Sequence, residues 1–288
     1  MPDNPHHFEK HLSVPETGIS AIDLLAQETA LSRQAIKKIM IKGAVWLTSG
    51  KHTQRLRRAK RELQQGQTLH LYYDKTVLEQ TPIAPQLIVD KHYYSIWNKP
   101  YGVLSQGSKW GDHCTVTRWA EQHLQPQRAA FVVHRLDRAA NGLILIAHEK
   151  RAATRLSALF QQRDIEKRYR IWVAGEFPAT AETQPIRVEQ ALDGRHAIST
   201  FKRLQFDAQR QRSLLDVSIE TGRKHQIRRH VASLGFPVIG DRLYGVQPRT
   251  EDLQLSAYYL AFDCPFSGEK QRVNVLSAAY QVTPDNDV

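Results

Sequence analysis

The 288 residues carry 40 Lys and Arg against 29 Asp and Glu, a net charge of +11, and 41% of them are hydrophobic. That length allows one large domain or two smaller ones, each with an ordinary core. No apolar run approaches the roughly 20 residues needed to cross a membrane. The start from Met1 to Lys10 is polar, and Cys114 and Cys264 lack the spacing of a disulfide framework or a metal site. A cytoplasmic protein with no membrane association is expected.

Residues 1–15, with Pro2, Pro5 and Pro15, show no periodicity and read as a mobile tail. From Ile19 the spacing turns helical, with Ile22, Leu25 and Ala26 on one face. A second helix follows Ser32, a favourable N-cap. Its apolar face is Ala35, Ile36, Ile39 and Met40, its opposite face is Arg33, Gln34, Lys37 and Lys38, and Gly43 ends it. Val45 and Leu47, then Leu69, Leu71 and Tyr73 after Gly66, alternate as short strands.

Between Leu31 and Lys75 the only acids are Glu62 and Asp74, against a run of basic residues. Arg33, Lys37, Lys38, Arg57 and Arg58 are taken from that run as RNA-contact candidates. Clustered positive charge is the footprint of a polyanion partner, because neutralising phosphates releases counterions. The module resembles the S4 RNA-binding domain, on Leu31-Ser32-Arg33, Gly43-Ala44-Val45-Trp46-Leu47 and Gly66. It departs at Ser20-Ala21-Ile22-Asp23, where that family opens with Arg-Leu-Asp.

Residues 76–90 hold Pro82 and Pro85 and read as a linker between a 16–75 module and a 91–288 domain. Phe131-Val132-Val133 and Leu143 to Ala147 are apolar runs of buried-strand length. Lys150 to Arg163 is amphipathic, with Ala152, Leu156, Leu159 and Phe160 on one face. Tyr169, Ile171 and Val173 alternate with polar neighbours, as do Leu215, Val217 and Ile219. A helix carrying Ile227, Val231 and Leu234 follows Thr221-Gly222 and stops at Gly235 and Pro237. Strands and helices mix without a regular βαβ alternation, so the expected class is α+β with a largely antiparallel sheet.

Chemistry concentrates in five segments: Asn98-Lys99-Pro100-Tyr101-Gly102, His134-Arg135-Leu136-Asp137, Lys167-Arg168-Tyr169, Thr221 to Arg228, and Pro237 to Gly245. In the second, a carboxylate sits between Arg135 and Arg138, just before a buried apolar run. Taken singly each segment has a plain structural reading: an ion pair, a strand tyrosine, a phosphate-binding arginine. His134, His225 and His230 read as structural, since their spacing is poor for zinc. Lys99-Pro100 reads as a turn that shapes the pocket.

In this order and at these separations the five segments resemble the RluA family of pseudouridine synthases, from about Leu87 to the C-terminal region. The resemblance implies that Asp137 is the catalytic aspartate and that Arg135 assists in extruding the base. It implies that Tyr169 stacks on the uracil, that Arg223 pairs with the catalytic carboxylate, and that Ile227 lines the pocket floor. The chain departs from the family at Ala140-Asn141-Gly142, where Thr-Ser-Gly is usual, and at Leu255-Ser256-Ala257, where Leu-His-Ala is usual.

The implied reaction breaks an N-glycosidic bond, turns the base and forms a C-glycosidic bond. No group comes from outside, so neither cofactor nor metal is expected. The expected protein is a monomeric isomerase that modifies RNA. The S4-like module favours large-subunit ribosomal RNA, and transfer RNA is the alternative. A non-catalytic RNA-binding or ribosome-assembly protein would not need Asp137, Tyr169 and Arg223 together. A phosphotransferase is excluded, because Leu136 interrupts His-Arg-Asp and no Gly-rich phosphate loop is present.

Overall fold

A computed structural model describes residues 6–245 and 251–276. The chain forms two compact units, Met1–Ile83 with Gln106–Leu124, and Ala84–Ser105 with Gln125–Val288. Among the described residues no helix is long and apolar enough to cross a membrane.

The first unit contains β1 (His7–Ser13), α1 (Ala21–Glu28), α2 (Arg33–Ile41), β2 (Val45–Ser49), β3 (His52–Arg55), β4 (Thr68–Asp74), α3 (Lys75–Leu78) and α4 (Val116–His123). Ser20 and Ser32 cap α1 and α2 by accepting from the backbone N–H groups of Asp23 and Ala35. The four strands pair antiparallel in the order β1-β4-β2-β3. Leu25, Ile36, Met40, Leu47, Leu69 and Leu71 fill the core beneath them. Each such burial contributes about 1.5–3 kcal/mol.

Three parts of the expected domain layout shift. Part of the 1–15 tail is strand β1, because Phe8 and Leu12 alternate with polar residues and pack against the core while β4 supplies the pairing; residues 1–5 lie outside the described residues. The 76–90 stretch contains most of α3, with Leu78 buried, and all of the later strand Gln86–Asp90. Residues 106–124, read from sequence as catalytic domain, return to the first unit. The physical reason is electrostatic. Asp112 sits 3.2 Å from Arg55 and also pairs with Arg57, and the Trp46 indole N–H donates to the Lys109 carbonyl at 3.1 Å.

The second unit is built on one twisted sheet. Its strands are β5 (Gln86–Asp90), β6 (Tyr94–Lys99), β7 (Phe131–Val132), β8 (Asn141–Ala147), β9 (Ile165–Ala174), β10 (Ile186–Glu189), β11 (Ile198–Asp207), β12 (Arg212–Ile219), β13 (Leu255–Asp263) and β14 (Lys270–Asn274). The order is β10-β11-β12-β9-β13-β8-β6-β5, with β14 on β13 and β7 on β8. Among the described residues only the β8–β13 pairing is parallel, so the class is α+β with a largely antiparallel sheet. Helix α5 (Lys150–Gln162) buries Ala152 and Leu156 against Leu143, Leu145 and Ile165. Helix α6 (Gln226–Ser233) buries Ile227 and Val231.

Candidate active site

Asp137 lies in the loop between β7 and β8, and that loop is held on both sides. The Ser105 hydroxyl donates to the Leu136 carbonyl at 2.8 Å and accepts from the Leu136 N–H at 3.0 Å. The fully buried Lys99 ammonium donates to the carbonyls of Ala140 at 2.6 Å and Val103 at 2.8 Å. Burial pushes the Lys99 amine down to about 7, with the charge of Asp137 partly opposing. Gly142 then threads the chain into the sheet centre. Its φ is +112°, and a Cβ there would stand 2.2 Å from the Ala257 carbonyl oxygen.

Across from this loop, the start of α6 is tied to β11 through Gln226. Its amide oxygen accepts from Thr221 Oγ1 at 2.7 Å and from the Arg223 N–H at 3.0 Å, while its nitrogen donates to the Ile198 carbonyl at 2.8 Å. His225 opens the helix in the left-handed region, at φ 54°. Arg228 is therefore fixed facing Asp137. Its Nη1 donates to Asp137 Oδ2 at 3.1 Å, while Nε and Nη2 donate to the two oxygens of Asp241 at 2.7 and 2.6 Å. Asp241 also accepts from the N–H groups of Leu243 and Tyr244.

Burial works against charge on both Arg228 and Asp241. Their mutual hydrogen bonds outweigh it, so the guanidinium is held above its ordinary range and the Asp241 carboxyl below. Arg228 is 6% exposed and Asp241 0%, whereas the Asp137 side chain is 28% exposed. Asp137 is thus the carboxylate that a ligand can reach. His225 Nε2 lies 3.9 Å from it, and burial pushes that imidazole down.

Tyr169 on β9 and Ile227 on α6 share the cleft with Asp137, together with Ile219 and Leu255, in an open volume of about 470 Å³. Burial, with the nearby charge of Asp137, raises the Tyr169 phenol and keeps it neutral. A flat polar ring suits such a site: apolar walls, an aromatic face and one oriented carboxylate able to act as nucleophile or base. Among the described residues no cluster of His, Cys, Asp and Glu is placed to hold a metal ion.

Residues 93–233 match the family model of RNA pseudouridylate synthase. That span is an RNA pseudouridine synthase domain. The chain is 28% identical over 269 residues to a protein of Aquifex aeolicus named as an uncharacterized RNA pseudouridine synthase, covering 83% of each. It is 34% identical over 204 residues to ribosomal large subunit pseudouridine synthase D of Xanthomonas campestris, covering 64% of this chain and 59% of that one. Another relative is named tRNA pseudouridine synthase C. Four further relatives are spanned over only 51% to 64% of their length. The fold matches human RNA Pseudouridylate Synthase Domain Containing 1 with a TM-score of 0.57 at 20% identity, over 69% of this chain and 86% of that one.

In this synthase domain the five residues singled out in the sequence, Asp137, Tyr169, Arg223, Arg135 and Ile227, all line one cleft. One expected contact is corrected. Arg223 does not pair with the carboxylate; its Nε donates to the His196 carbonyl at 3.0 Å, and Arg228 makes the pairing. Arg223 precedes the left-handed turn at His225 and is steered toward β11, whereas Arg228 lies within α6, facing the cleft. Arg228 and Asp241 stand within the motif segments but had drawn no role. The available signal was a charged residue immediately after Ile227, on a helix face otherwise assigned to the core.

The basic candidates of the first unit fall into two groups. Lys37, Lys38 and Arg58 are exposed and make no ion pair among the described residues. Arg33 is exposed but donates twice to Asp23, at 2.9 and 2.7 Å. Arg57 is engaged by Asp112 and by the Ile41 carbonyl, which makes it a structural cation.

Proposed function

We propose that this chain isomerises specific uridines of large-subunit ribosomal RNA to pseudouridine, as a cytoplasmic monomer without a cofactor. Asp137 is the attacking carboxylate, oriented by Arg228. The Asp137 carboxylate bonds to C1′ as the N1–C1′ bond of the target breaks, the uracil turns against the Tyr169 face, and C5 bonds to C1′ as the carboxylate leaves. The C5 proton leaves to solvent and N1 takes one up, so atoms and charge balance. Arg135 and Arg223 line the mouth and meet the flipped nucleotide, and Ile227 supports its base. The target must leave its stack, which costs a few kcal/mol. The S4-like module over residues 16–75 offsets part of that cost through phosphate contacts at Lys37, Lys38 and Arg58.

The observation that carries this reading is one buried arginine holding one partly exposed carboxylate in the cleft that also contains Tyr169. The ribosomal target rests on the S4-like module and on the names of relatives such as the Xanthomonas synthase. The test is transcriptome-wide pseudouridine mapping with and without the gene. Loss of one or a few sites in large-subunit RNA is expected. Loss confined to transfer RNA moves the target, and an unchanged map overturns the enzymatic reading.

A further inference from the structure

A second groove in the same unit opens onto the Asp137 cleft, sharing Arg135, Tyr169, Ile219, Gly222 and Arg223 with it. Its far end is walled by His134, Phe160, Arg163 and Lys167. Lys167 and Tyr169 are two residues apart on β9, so their side chains share one face of the sheet, roughly 7 Å apart along the strand. That separation lies within the span of one nucleotide.

The charges in this groove do not balance. Lys167 points its ammonium over the Phe160 ring, 5.4 Å from the centroid, and no carboxylate among the described residues pairs with it. Glu220 is the one acid lining the groove, and Arg187 and Arg163 already engage it. His134 beside Lys167 is neutral, since burial, and then the Lys167 charge, push its imidazole down to about 3. A half-buried cation without a counterion is costly unless an anion completes the site.

We propose that this groove receives the phosphodiester flanking the target uridine, and that Lys167 is the side chain that meets it. The placement rests on the pseudouridine synthase reading, because it uses the shared wall at Tyr169 to seat the base. Phosphate is the fitting anion: Lys167 supplies a point charge, and Arg135, Arg163 and Arg223 surround the same opening. Burial pushes the Lys167 amine down to about 8. The contact should therefore be present at neutral pH and lost as pH rises through that value. The other groups facing it are His134, already neutral, Tyr169, whose phenol burial raises, Glu220, whose carboxyl the Arg187 hydrogen bond holds low, and the guanidinium groups of Arg135, Arg163 and Arg223.

The experiment compares full-length wild type, K167M and K167R by fluorescence anisotropy with a labelled oligouridylate 12-mer, across salt and from pH 6.5 to 9.5. K167M should bind about tenfold more weakly, the weight of one hydrogen bond to a charged group. Its log–log salt slope should be shallower by about 0.7, one phosphate contact on a single strand. Wild-type affinity should fall as pH passes about 8, whereas K167R, whose guanidinium stays charged, should keep both affinity and a flat profile. Equal slopes and equal pH profiles for all three overturn the proposal. If K167M does not fold, the contrast between wild type and K167R across pH decides the matter alone. The two readings fail separately. A wild type that binds in this Lys167-dependent way but modifies no RNA upholds the groove and sinks the activity. A wild type that modifies RNA, with K167M unchanged in KM and slope, does the reverse.

Discussion

Arg228 joins two carboxylates of unlike exposure: two of its nitrogens are locked onto the fully buried Asp241, leaving Nη1 to hold Asp137 at 3.1 Å. Only a planar fork can serve both at once. Arg228→Lys should keep the charge and lose the bridge, lowering kcat by about 100-fold while KM changes little, the pattern of a preorganising group. Asp241→Asn should act on folding, because it strands a buried guanidinium; about 3 kcal/mol of destabilisation is expected. Steady-state kinetics and chemical denaturation separate the two. Wild-type kcat in Arg228→Lys would mean that Asp137 needs no orienting partner.

Asp137→Asn should abolish isomerisation and spare RNA affinity. The amide nearly preserves shape but is a far weaker nucleophile, and most affinity in RNA complexes of this kind comes from phosphate contacts. Tritium release from RNA labelled at uridine C5, measured beside filter binding, checks both halves. Appreciable turnover by the variant would remove Asp137 from the proposed role.

Gly142 is the pivot on which the Asp137 loop enters the sheet. A Cβ there collides with Ala257 backbone at 2.2 Å, in a backbone conformation of φ +112° that side chains rarely adopt. Gly142→Ala should cost about 3 kcal/mol or more, since backbone cannot yield as a side chain can. The same change should lower activity, because strands β8 and β13 meet here, at Ser256–Asn141 and Ala257–Gly142. Thermal melting and activity measured on one preparation test whether the two losses travel together.

Much of this was legible in the sequence because local pattern and local structure agree. The cap at Ser32 follows from residue type, and the amphipathic α5 and the alternation in β9 and β12 follow from periodicity. Asp137, Tyr169 and Ile227 were findable through the resemblance carried by the order and spacing of the motif segments, and the structure brings them to the same cleft. What could not be read was pairing across distance. Arg228 and Arg223 are five residues apart, and only the left-handed turn at His225 decides which of them reaches Asp137. Likewise, nothing local to Asp112 shows that it neutralises Arg55 and Arg57, so the return of residues 106–124 to the first unit was hidden. That return also changes how the basic module should be tested: removing the N-terminal residues alone would strand the inserted segment.

His134 gives the fold a pH dependence with a definite sign. Its Nε2 accepts from the Leu145 N–H at 2.9 Å, which requires the neutral ring, and burial first, then Lys167, push the imidazole from 6.5 down to about 3. A group whose pKa is depressed on folding contributes stability above its unfolded value and loses it as pH falls toward the folded one. Denaturation midpoints should therefore drop progressively below about pH 6.5. His134→Asn, which can still present an acceptor to Leu145, should flatten that part of the curve. Urea denaturation of both proteins between pH 4 and 8 checks this, and parallel curves would place the acid sensitivity elsewhere.

The last expectation concerns the exposed basic face of the first unit. Among the described residues Lys37, Lys38 and Arg58 make no ion pair, unlike Arg33 on Asp23 and Arg57 on Asp112. If the module anchors RNA, the three free cations carry that function and the two engaged ones contribute little. Neutralising Lys37, Lys38 and Arg58 together should weaken RNA binding and reduce the log–log salt slope by up to about 2–3 units, one contact each at roughly 0.7–0.9. Melting temperature should stay within a degree or so, because exposed positions free of structural contacts rarely matter to stability. Arg57→Gln should give the opposite signature. Asp112 would keep Arg55 and lose its second cation, so stability should fall while the salt slope stays near wild type. Affinity at several salt concentrations, with melting curves alongside, distinguishes the two groups. A triple variant with wild-type affinity and slope would make this face a solvated surface and leave the anchoring of RNA to the second unit.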